Sequence, residues 1–462
     1  MFGVSQTSDG APTAVDDAYT VRQGSTLTTG FNLVKDINLN NDGSYPMSLT
    51  DVNGTLFFTA NSSSYGWELW KNDGTGAVLV KDIVAGSGSA FPNFLTNVNG
   101  TLFFTVEDGI TGRELWMSDG TEAGTVVVKD IVSGIGSSGL TNLTNVNGTL
   151  FFVADDGIHG VELWTSDGTE AGTVLVKDIV AGSGWSNPSD LINVNGTLFF
   201  RVDDGTKNEL WKSDGTVDGT VLVADIYPGS GWSILQNLTN VNGTLFFAAE
   251  DGIHGAELWK SDGTEDGTVL VKDIWVDGWS YPSNLTNVNG TLFFTADDGV
   301  TGRELWKSDG TEAGTVLVKD IMDGSGSAMD LFASLTNVSG TLFFTAVDSI
   351  HGRELWTSDG TEAGTVLVKD IVAGSGGAMD LFAAFLTNVN GTLFFAADDG
   401  IHGRELWKSD GTEAGTVLVK DIVAGSGGAM DLFAAFLTNV NGTLFFTADD
   451  GIHGRELWTS DG

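Results

Sequence analysis

Short apolar stretches separated by glycine-rich turns recur along the whole chain, and one unit divides into four predicted strands. Asn289-Gly290 is a two-residue hairpin signal between the first two strands, and Asp-Gly turns separate the others. The second strand (TLFFTA) is apolar on both faces, whereas Lys319 and Asp320 interrupt the apolar run of the fourth strand. The predicted strands of this unit span residues 285–288, 291–296, 303–308 and 315–321.

The triplet Glu-Leu-Trp marks the repeat and occurs nine times, at spacings of 46 to 51 residues. A period of this length is typical of propeller arrays. The last two units, residues 374–411 and 425–462, are identical at 36 of 38 positions, which indicates recent duplication. The nine tryptophans are Trp70, Trp116, Trp164, Trp211, Trp259, Trp306, Trp356, Trp407 and Trp458.

A sheet whose second strand is apolar on both faces needs a neighbouring sheet on each side, as blades stacked around an axis provide. The chain enters on a fourth strand at residues 32–37 (NLVKDI) and leaves after a third strand at 455–460 (RELWTS). We therefore predict an all-β fold, a single β-propeller of nine four-stranded blades over residues 31–462. The N-terminal strand would complete the last blade and close the ring, leaving residues 1–30 as an extension.

The formal net charge of −40 argues against nucleic-acid binding and against anionic membrane surfaces. The same charge would attract cations such as calcium. There is no cysteine, so neither disulfides nor thiolate metal sites are expected. The first nine residues show no signal-peptide pattern, and no apolar run is long enough for a membrane span, so we predict no membrane insertion.

The repeated motif Glu-Leu-Trp-x-x-Asp-Gly-Thr, as at residues 304–311, resembles the ELWxxDGT repeat proteins, a family of large bacterial surface or secreted proteins. The resemblance covers residues 33–462 and implies an extracellular or cell-surface location and a scaffold or binding role. It supplies no catalytic residues. Residues 11–28 (APTAVDDAYTVRQGSTLT) are similar to the opening strand of Ig-like or cadherin-like adhesin repeats.

The histidines and the motif glutamates are the first candidates for chemistry, and both recur at one position per unit. Equivalent turns on neighbouring blades are too far apart to share a zinc ion, so we interpret the histidines as tolerant turn residues. A nine-fold glutamate indicates a repeated structural hydrogen bond, because paired catalytic carboxylates must face each other. We expect the motif tryptophans to pack between blades. The histidines are His159, His254, His351, His402 and His453.

A calcium site is a further possibility at residues 38–43 (NLNNDG), which match the start of an EF-hand loop. Leu49 stands where that loop requires its bidentate glutamate. Asp-Gly turns form hairpins without any metal. We therefore predict no cofactor and leave calcium open.

The connections between units differ from one another, and these differences point to a binding surface. Three consecutive connections carry Trp185, Trp232 and Trp279, the last followed by Tyr281. Such loops lie on one face of a ring, so the side chains would form an apolar arc around the channel mouth, suited to a protein or glycan ligand. The alternative is that each aromatic side chain packs under its own loop and seals the gap between two blades. Later connections carry Met329 and Phe332, Met379 and Phe382, and Met430 and Phe433.

Three functions remain open on this reasoning. The first is a non-enzymatic extracellular scaffold or binding module of a bacterial repeat protein, acting as a monomeric ring. The second is a glycan-binding, lectin-like propeller that uses Trp185, Trp232 and Trp279. The third is an enzyme with its site in the central channel, which predicts a non-repeated cluster of histidine, arginine or carboxylate side chains facing the axis.

Overall fold

A computed structural model of the protein describes residues 30–39, 42–74, 76–229, 232–330, 333–379, 385–430 and 436–461. The predicted N-terminal extension lies outside these residues, apart from Gly30, as does the segment similar to an adhesin repeat. The division into an extension and a propeller therefore stays a prediction.

The described residues form nine four-stranded antiparallel sheets, which are the nine blades of a β-propeller. The first strand of each blade lies at the axis, where it contacts the first strands of the neighbouring blades. These inner strands are β2 (Met47–Val52), β6 (Asn93–Val98), β10 (Thr141–Val146), β14 (Ser189–Val194), β18 (Gln236–Val241), β22 (Ser283–Val288), β26 (Leu335–Val338), β30 (Thr387–Val389) and β34 (Leu437–Val440). The second strands are β3 (Thr55–Ser62), β7 (Thr101–Glu107), β11 (Thr149–Asp155), β15 (Thr197–Asp203), β19 (Thr244–Glu250), β23 (Thr291–Asp297), β27 (Thr341–Asp348), β31 (Thr392–Asp398) and β35 (Thr443–Asp449).

The third strands carry the Glu-Leu-Trp triplet, and the fourth strands lie at the rim. The third strands are β4 (Gly66–Asn72), β8 (Arg113–Ser118), β12 (Val161–Ser166), β16 (Asn208–Ser213), β20 (Ala256–Ser261), β24 (Arg303–Ser308), β28 (Gly352–Ser358), β32 (Arg404–Ser409) and β36 (Arg455–Ser460). The rim strands are β5 (Ala77–Lys81), β9 (Val126–Lys129), β13 (Val174–Lys177), β17 (Val221–Ala224), β21 (Val269–Lys272), β25 (Val316–Lys319), β29 (Val366–Lys369), β33 (Val417–Lys420) and β1 (Phe31–Lys35).

The predicted strands of the unit that starts at residue 285 are confirmed, with small differences at their ends. β22 begins two residues earlier than predicted, at Ser283. Ser283 pairs with Thr295, and a β-bulge separates this pair from the next pair, Thr286 with Phe293. The rim strand β25 ends at Lys319, because the next residues leave the sheet and the N–H of Ile321 donates to the Glu304 carboxylate. The Asn-Gly hairpins also form as predicted, with positive φ at both Asn289 (52°) and Gly290 (87°).

The hydrophobic core lies between blades, where each sheet presses its apolar second strand against its neighbours. At the interface of blades 2 and 3, Phe103 and Leu115 of one sheet form a buried cluster with Phe152 and Trp164 of the next. Five of the rim lysines add a cation–π contact to the tryptophan of the following blade; Lys81, for example, lies 5.9 Å from the Trp116 ring. The predicted packing of the motif tryptophans between blades is confirmed.

The ring closes through the N-terminal strand, as predicted. β1 pairs antiparallel with β36, with Phe31 opposite Ser460 and Leu33 opposite Trp458. The interface of blades 9 and 1 has a buried cluster of its own, which joins Phe445 of β35 to Trp70 of β4. The predicted span of 32–37 differs from the observed strand by one or two residues at each end.

A circle of asparagines, with Ser339 in place of one in blade 7, also joins the blades beside the axis, on the side of the Asn-Gly hairpins. The amide of Asn53 lies against Gly100 of the next blade, and the amide of Asn441 in the last blade lies against Gly54 of the first. A β-carbon at Gly54 would collide with this amide, so both the positive φ and the close approach require glycine there.

The antiparallel order gives the ring two distinct faces. The connections between blades and the turns between second and third strands lie on one side, which we call the loop face. The Asn-Gly hairpins and the Asp-Gly turns between third and fourth strands lie on the other, which we call the turn face.

Removing residues 1–38 should destabilise the ring, because β1 completes blade 9. Phe31 lies 5.5 Å from the ring of Phe446 and 5.1 Å from that of Trp458, and the loss of contacts of this kind costs on the order of 3 kcal/mol. The melting temperature should fall by several degrees, as measured by circular dichroism. A chain that lacks only residues 1–29 is the control and should melt like the full chain; equal melting of both truncations would show that β1 does not close the ring.

Candidate functional site

The aromatic residues predicted in the connections lie on the loop face and are well exposed. Trp185, Trp232, Trp279 and Tyr281 expose 57%, 48%, 38% and 37% of their surface. They lie in the connections from blade 3 to 4, from blade 4 to 5 and from blade 5 to 6. The face therefore presents large apolar side chains at three consecutive blade junctions.

Two of these indoles rest on turns of the preceding blade. Carbon Cδ1 of Trp185 lies 2.5 Å from the position that a β-carbon on Gly160 would occupy, and Cδ1 of Trp279 lies 2.7 Å from the same position at Gly255. Those glycines end the turns between second and third strands, so the two indoles lie over the middle strands of blades 3 and 5. Tyr281 packs beside Trp279 with ring centroids 5.2 Å apart. Trp185, Trp279 and Tyr281 therefore each contact the protein on one side and keep part of their surface accessible to solvent.

The prediction that the methionines of the later connections also belong to the exposed arc is wrong. Met329, Met379 and Met430 are only 1%, 5% and 3% exposed and belong to the cores between blades. Their unbranched side chains fill the gap that opens where the connection turns into the next blade. The phenylalanines predicted with them, Phe332, Phe382 and Phe433, lie outside the described residues.

Tyr45, Phe91 and Phe94 are exposed aromatics on the same face that the sequence reasoning missed, with 41%, 48% and 40% of their surface accessible. Tyr45 and Phe91 are equivalent to Tyr281, because each donates its backbone N–H to the carbonyl of the residue before a motif glutamate, at 3.1, 3.2 and 3.0 Å. Aligning the connections on their Ser or Ala before the aromatic residue would have found them. We call these three and the four predicted residues the loop-face aromatics.

The five histidines are turn residues, as predicted, and each forms an ion pair within its turn. In every case Nδ1 lies 2.7 Å from Oδ2 of an aspartate three residues earlier, such as Asp156 for His159. The carboxylate raises the pKa of each histidine. Thr111 makes the equivalent bond with its hydroxyl. Over the described residues, no group of three or more potential metal ligands occurs.

The motif glutamates make the predicted structural hydrogen bonds and are almost fully buried. Glu304 accepts the backbone N–H groups of Ile321 at 3.1 Å, Met322 at 3.4 Å and Ala328 at 3.0 Å. It thereby fixes the connection that leaves its own blade. In blade 9, Glu456 does the same for the N-terminal segment, by accepting from the N–H of Ile37 and the hydroxyl of Ser44.

Burial gives these carboxyl groups an unusual pKa. Desolvation raises the pKa of Glu68, Glu114, Glu209, Glu257, Glu304, Glu354, Glu405 and Glu456 to about 7, and raises that of Glu162 as well. A nearby aspartate, such as Asp320 beside Glu304, raises the pKa further, and the backbone donors oppose the shift. These are structural carboxyls that exchange protons near neutral pH.

The segment considered for calcium is held by ordinary hydrogen bonds where the structure describes it. The buried amide of Asn38 donates to the Gly43 carbonyl at 3.0 Å and accepts from the N–H of Ser63 at 3.3 Å. Leu49 lies in β2, within the first blade. Residues 40 and 41 lie outside the described part, and the absence of a calcium site stays a prediction.

A cavity of about 480 Å³ lies against the inner strands of blades 6 to 9, and so at the axis. Four leucines from successive blades line it, together with threonine, serine, alanine and asparagine side chains and Phe385. No histidine, arginine or carboxylate belongs to the described lining. The leucines are Leu285, Leu335, Leu386 and Leu437.

The ring should become less stable as the pH rises from about 5 to about 8. The folded-state pKa of about 7 lies above the ordinary 4.5, so the stabilisation is fully present below pH 4.5 and is lost as the pH rises through 7. The melting temperature as a function of pH measures this. The trend should persist in roughly 1 M salt, where exposed charges are screened.

Two variants of blade 6 separate this effect from surface charge. Glu304→Gln removes one buried titrating group and should flatten the pH dependence, whereas Glu312→Gln, at an exposed position, should leave it unchanged. A melting temperature that rises from about pH 5 to about pH 8 would contradict the assignment.

Calcium added to EDTA-treated protein should not raise the melting temperature, if the turns fold without metal as their internal hydrogen bonds indicate. A cation bound only by the folded state stabilises it in proportion to its occupancy. A rise that is lost in the Asn38→Ala variant would instead locate a site at residues 38–43.

No helix in the described part of the chain is long and apolar enough to cross a membrane. No family model and no curated protein matches the chain. Among solved structures it is similar to puromycin hydrolase (12% identity, TM-score 0.38, covering 81% of this chain and 61% of that chain) and to a prolyl endopeptidase (12%, 0.43, 88% and 55%). It also matches the β-propeller domain of the Trilobed protease from Pyrococcus furiosus (11%, 0.35, 69% and 96%). The chain thus spans less than two thirds of the first two proteins, and likenesses at this level carry no inference about its activity.

Proposed function

We propose that the protein is a non-enzymatic binding module that recognises a protein partner with the loop face of its ring. The observation that carries the proposal is the uneven distribution of the loop-face aromatics. Among the described residues, they occupy the connections that lead into blades 1, 2, 4, 5 and 6 and, with Phe94, the start of the inner strand of blade 2, whereas the described parts of the connections into blades 7 to 9 bury their methionines. A purely structural role would treat equivalent connections alike.

The chemistry of this surface suits a protein partner. Tyrosine and tryptophan are enriched at the centres of protein interfaces, where they contribute most of the binding energy. Trp279 with Tyr281 gives one paired contact, and Tyr45 lies under the Arg455 guanidinium, 5.3 Å from its ring, as another. The rigid ring holds both on supported backbone, which lowers the entropy lost on binding.

The recurring polar groups support a role without catalysis. The motif glutamates are engaged with backbone N–H groups, and the histidines are paired within their own turns. The described lining of the axial cavity offers no general acid or base. The resemblance of the repeated motif to bacterial surface proteins favours an extracellular or cell-surface location.

Glycan binding is a second candidate, and a specific observation favours it. Three consecutive connections carry a tryptophan at the same position, and each indole is more than a third exposed. Indoles repeated at the spacing of the blades match a ligand that is itself a repeating chain. A protein partner would not require this regularity.

Replacing Trp185, Trp232 and Trp279 with alanine should weaken ligand binding more than tenfold, because buried aromatic anchors contribute roughly 2 kcal/mol or more each. Binding to a glycan array and to a panel of purified extracellular proteins, followed by biolayer interferometry on the hits, measures the change. The matched control is Val217→Ala, which alters an apolar side chain that is 59% exposed on the turn face.

The pattern of hits decides between the two candidates. Protein hits that depend on the tryptophans support the proposal, and glycan hits that depend on them favour the second candidate. Protein hits that the triple variant binds as well as the original chain would remove the loop face from consideration as the protein-binding surface, and glycan hits of that kind would exclude the second candidate.

A further inference from the structure

The turn face carries a second set of candidate sites, in clefts between adjacent blades. Three equivalent cavities lie there, of about 220 Å³ between blades 1 and 2, about 230 Å³ between blades 5 and 6, and about 180 Å³ between blades 6 and 7. Each is lined by one blade's Asn-Gly hairpin and third strand and by the next blade's Asp-Gly turn. None of these residues belongs to the loop face.

A lysine of the third strand provides hydrogen-bond donors in each cleft. Between blades 6 and 7, Lys307 Nζ donates to the Gly360 carbonyl at 2.8 Å, and Lys260 makes the same bond to Gly310 one blade earlier. An ammonium group has three N–H donors, so two remain for a ligand. The lysine is thus held in place by the neighbouring blade without being saturated.

The Asp-Gly turn and the hairpin provide acceptors in the same cleft. Asp359 uses Oδ1 for the N–H and hydroxyl of Thr361, at 2.8 and 2.7 Å, which leaves Oδ2 available. Asn289 contributes an amide from the other wall. The cleft therefore combines positive donors and negative acceptors.

We infer that these clefts bind single neutral sugar units, with the lysine donating to one hydroxyl group and the aspartate accepting from a neighbouring one. An ammonium and a carboxylate in the same cleft favour a ligand that both donates and accepts, as a sugar does. An anion would meet the aspartate and the field of a chain whose formal net charge is −40.

The chain itself predicts how many such sites there are. The lysine position of the third strand is occupied by lysine in five blades, at Lys71, Lys212, Lys260, Lys307 and Lys408. The other four blades carry Met117, Thr165, Thr357 and Thr459 there. In blade 3 the hydroxyl of Thr165 donates to the Leu150 carbonyl of its own sheet, so no donor reaches across to blade 4. The cleft of Lys408 is not counted, because Gly462 in the Asp-Gly turn opposite it lies outside the described residues. Four sites around one ring would give avidity for a branched or polymeric glycan.

The test is saturation-transfer NMR and equilibrium titration of the full chain with methyl glucoside, methyl galactoside, methyl mannoside and N-acetylglucosamine, with glucuronate as an acidic arm. We expect one of the neutral sugars to bind with a stoichiometry near four. Replacing Lys212, Lys260 and Lys307 with threonine should lower this to one, since of these four clefts the one with Lys71 remains. Threonine stands at this position in three other blades, so the substitution suits the fold.

A gain-of-site variant makes the test independent of any loss of folding. Thr165→Lys places a lysine in the cleft between blades 3 and 4, where the hairpin and the Asp-Gly turn are already present, and should raise the stoichiometry from four to five. The inference is overturned if no neutral sugar binds, if only glucuronate binds, or if the stoichiometry ignores the lysine changes.

The loop face serves as the internal control. The triple tryptophan variant should retain all four turn-face sites, and loss of sugar binding in that variant would assign the sugars to the loop face instead. The two proposals can therefore fail separately, because one depends on residues of the loop face and the other on residues of the turn face.

Discussion

The second strand of every blade is apolar on both faces, and the rest of the structure depends on covering it from both sides. Its second phenylalanine, Phe58 in blade 1 and Phe446 in blade 9, is fully buried in all nine blades. No single sheet can bury such a strand, and an open stack would leave one face bare at each end. A closed ring satisfies every copy at once, which is why the interface of blades 9 and 1 repeats the packing of the others.

The buried glutamate fixes what the packing leaves free, namely the path of the chain between blades. Glu304 and its counterparts bind the backbone N–H groups of each connection. Because these bonds do not involve the side chains of the connection, those side chains can change without loss of the fold. The same body thus carries tryptophans at some junctions and buried methionines at others. Function in such a ring lies in the residues that depart from the repeat.

The sequence was sufficient to predict the strands, the closure and the structural role of the glutamates, because each follows from a local pattern repeated nine times. It failed for Met329, since a methionine suits a core and a surface equally and only the three-dimensional gap decides. It missed Tyr45 and Phe91 because their equivalence to Tyr281 rests on a backbone hydrogen bond to a strand of another sheet. Phe91 donates to the preceding blade, and Tyr45 donates to the last blade, at the other end of the chain. The turn-face clefts were also beyond it, since Lys307 and Asp359 belong to different units and meet only when the blades stack.

The pairing of β1 with β36 places the seam of the ring inside one blade instead of between two. The seam needs only a rim strand at one end of the propeller and three strands at the other, and neither depends on how many units lie between them. Gain or loss of a whole unit in the gene would leave both halves of the seam intact. The number of units in such a protein is therefore limited by the range of angles between neighbouring blades that their interface tolerates. The two nearly identical final units record the gain of one unit.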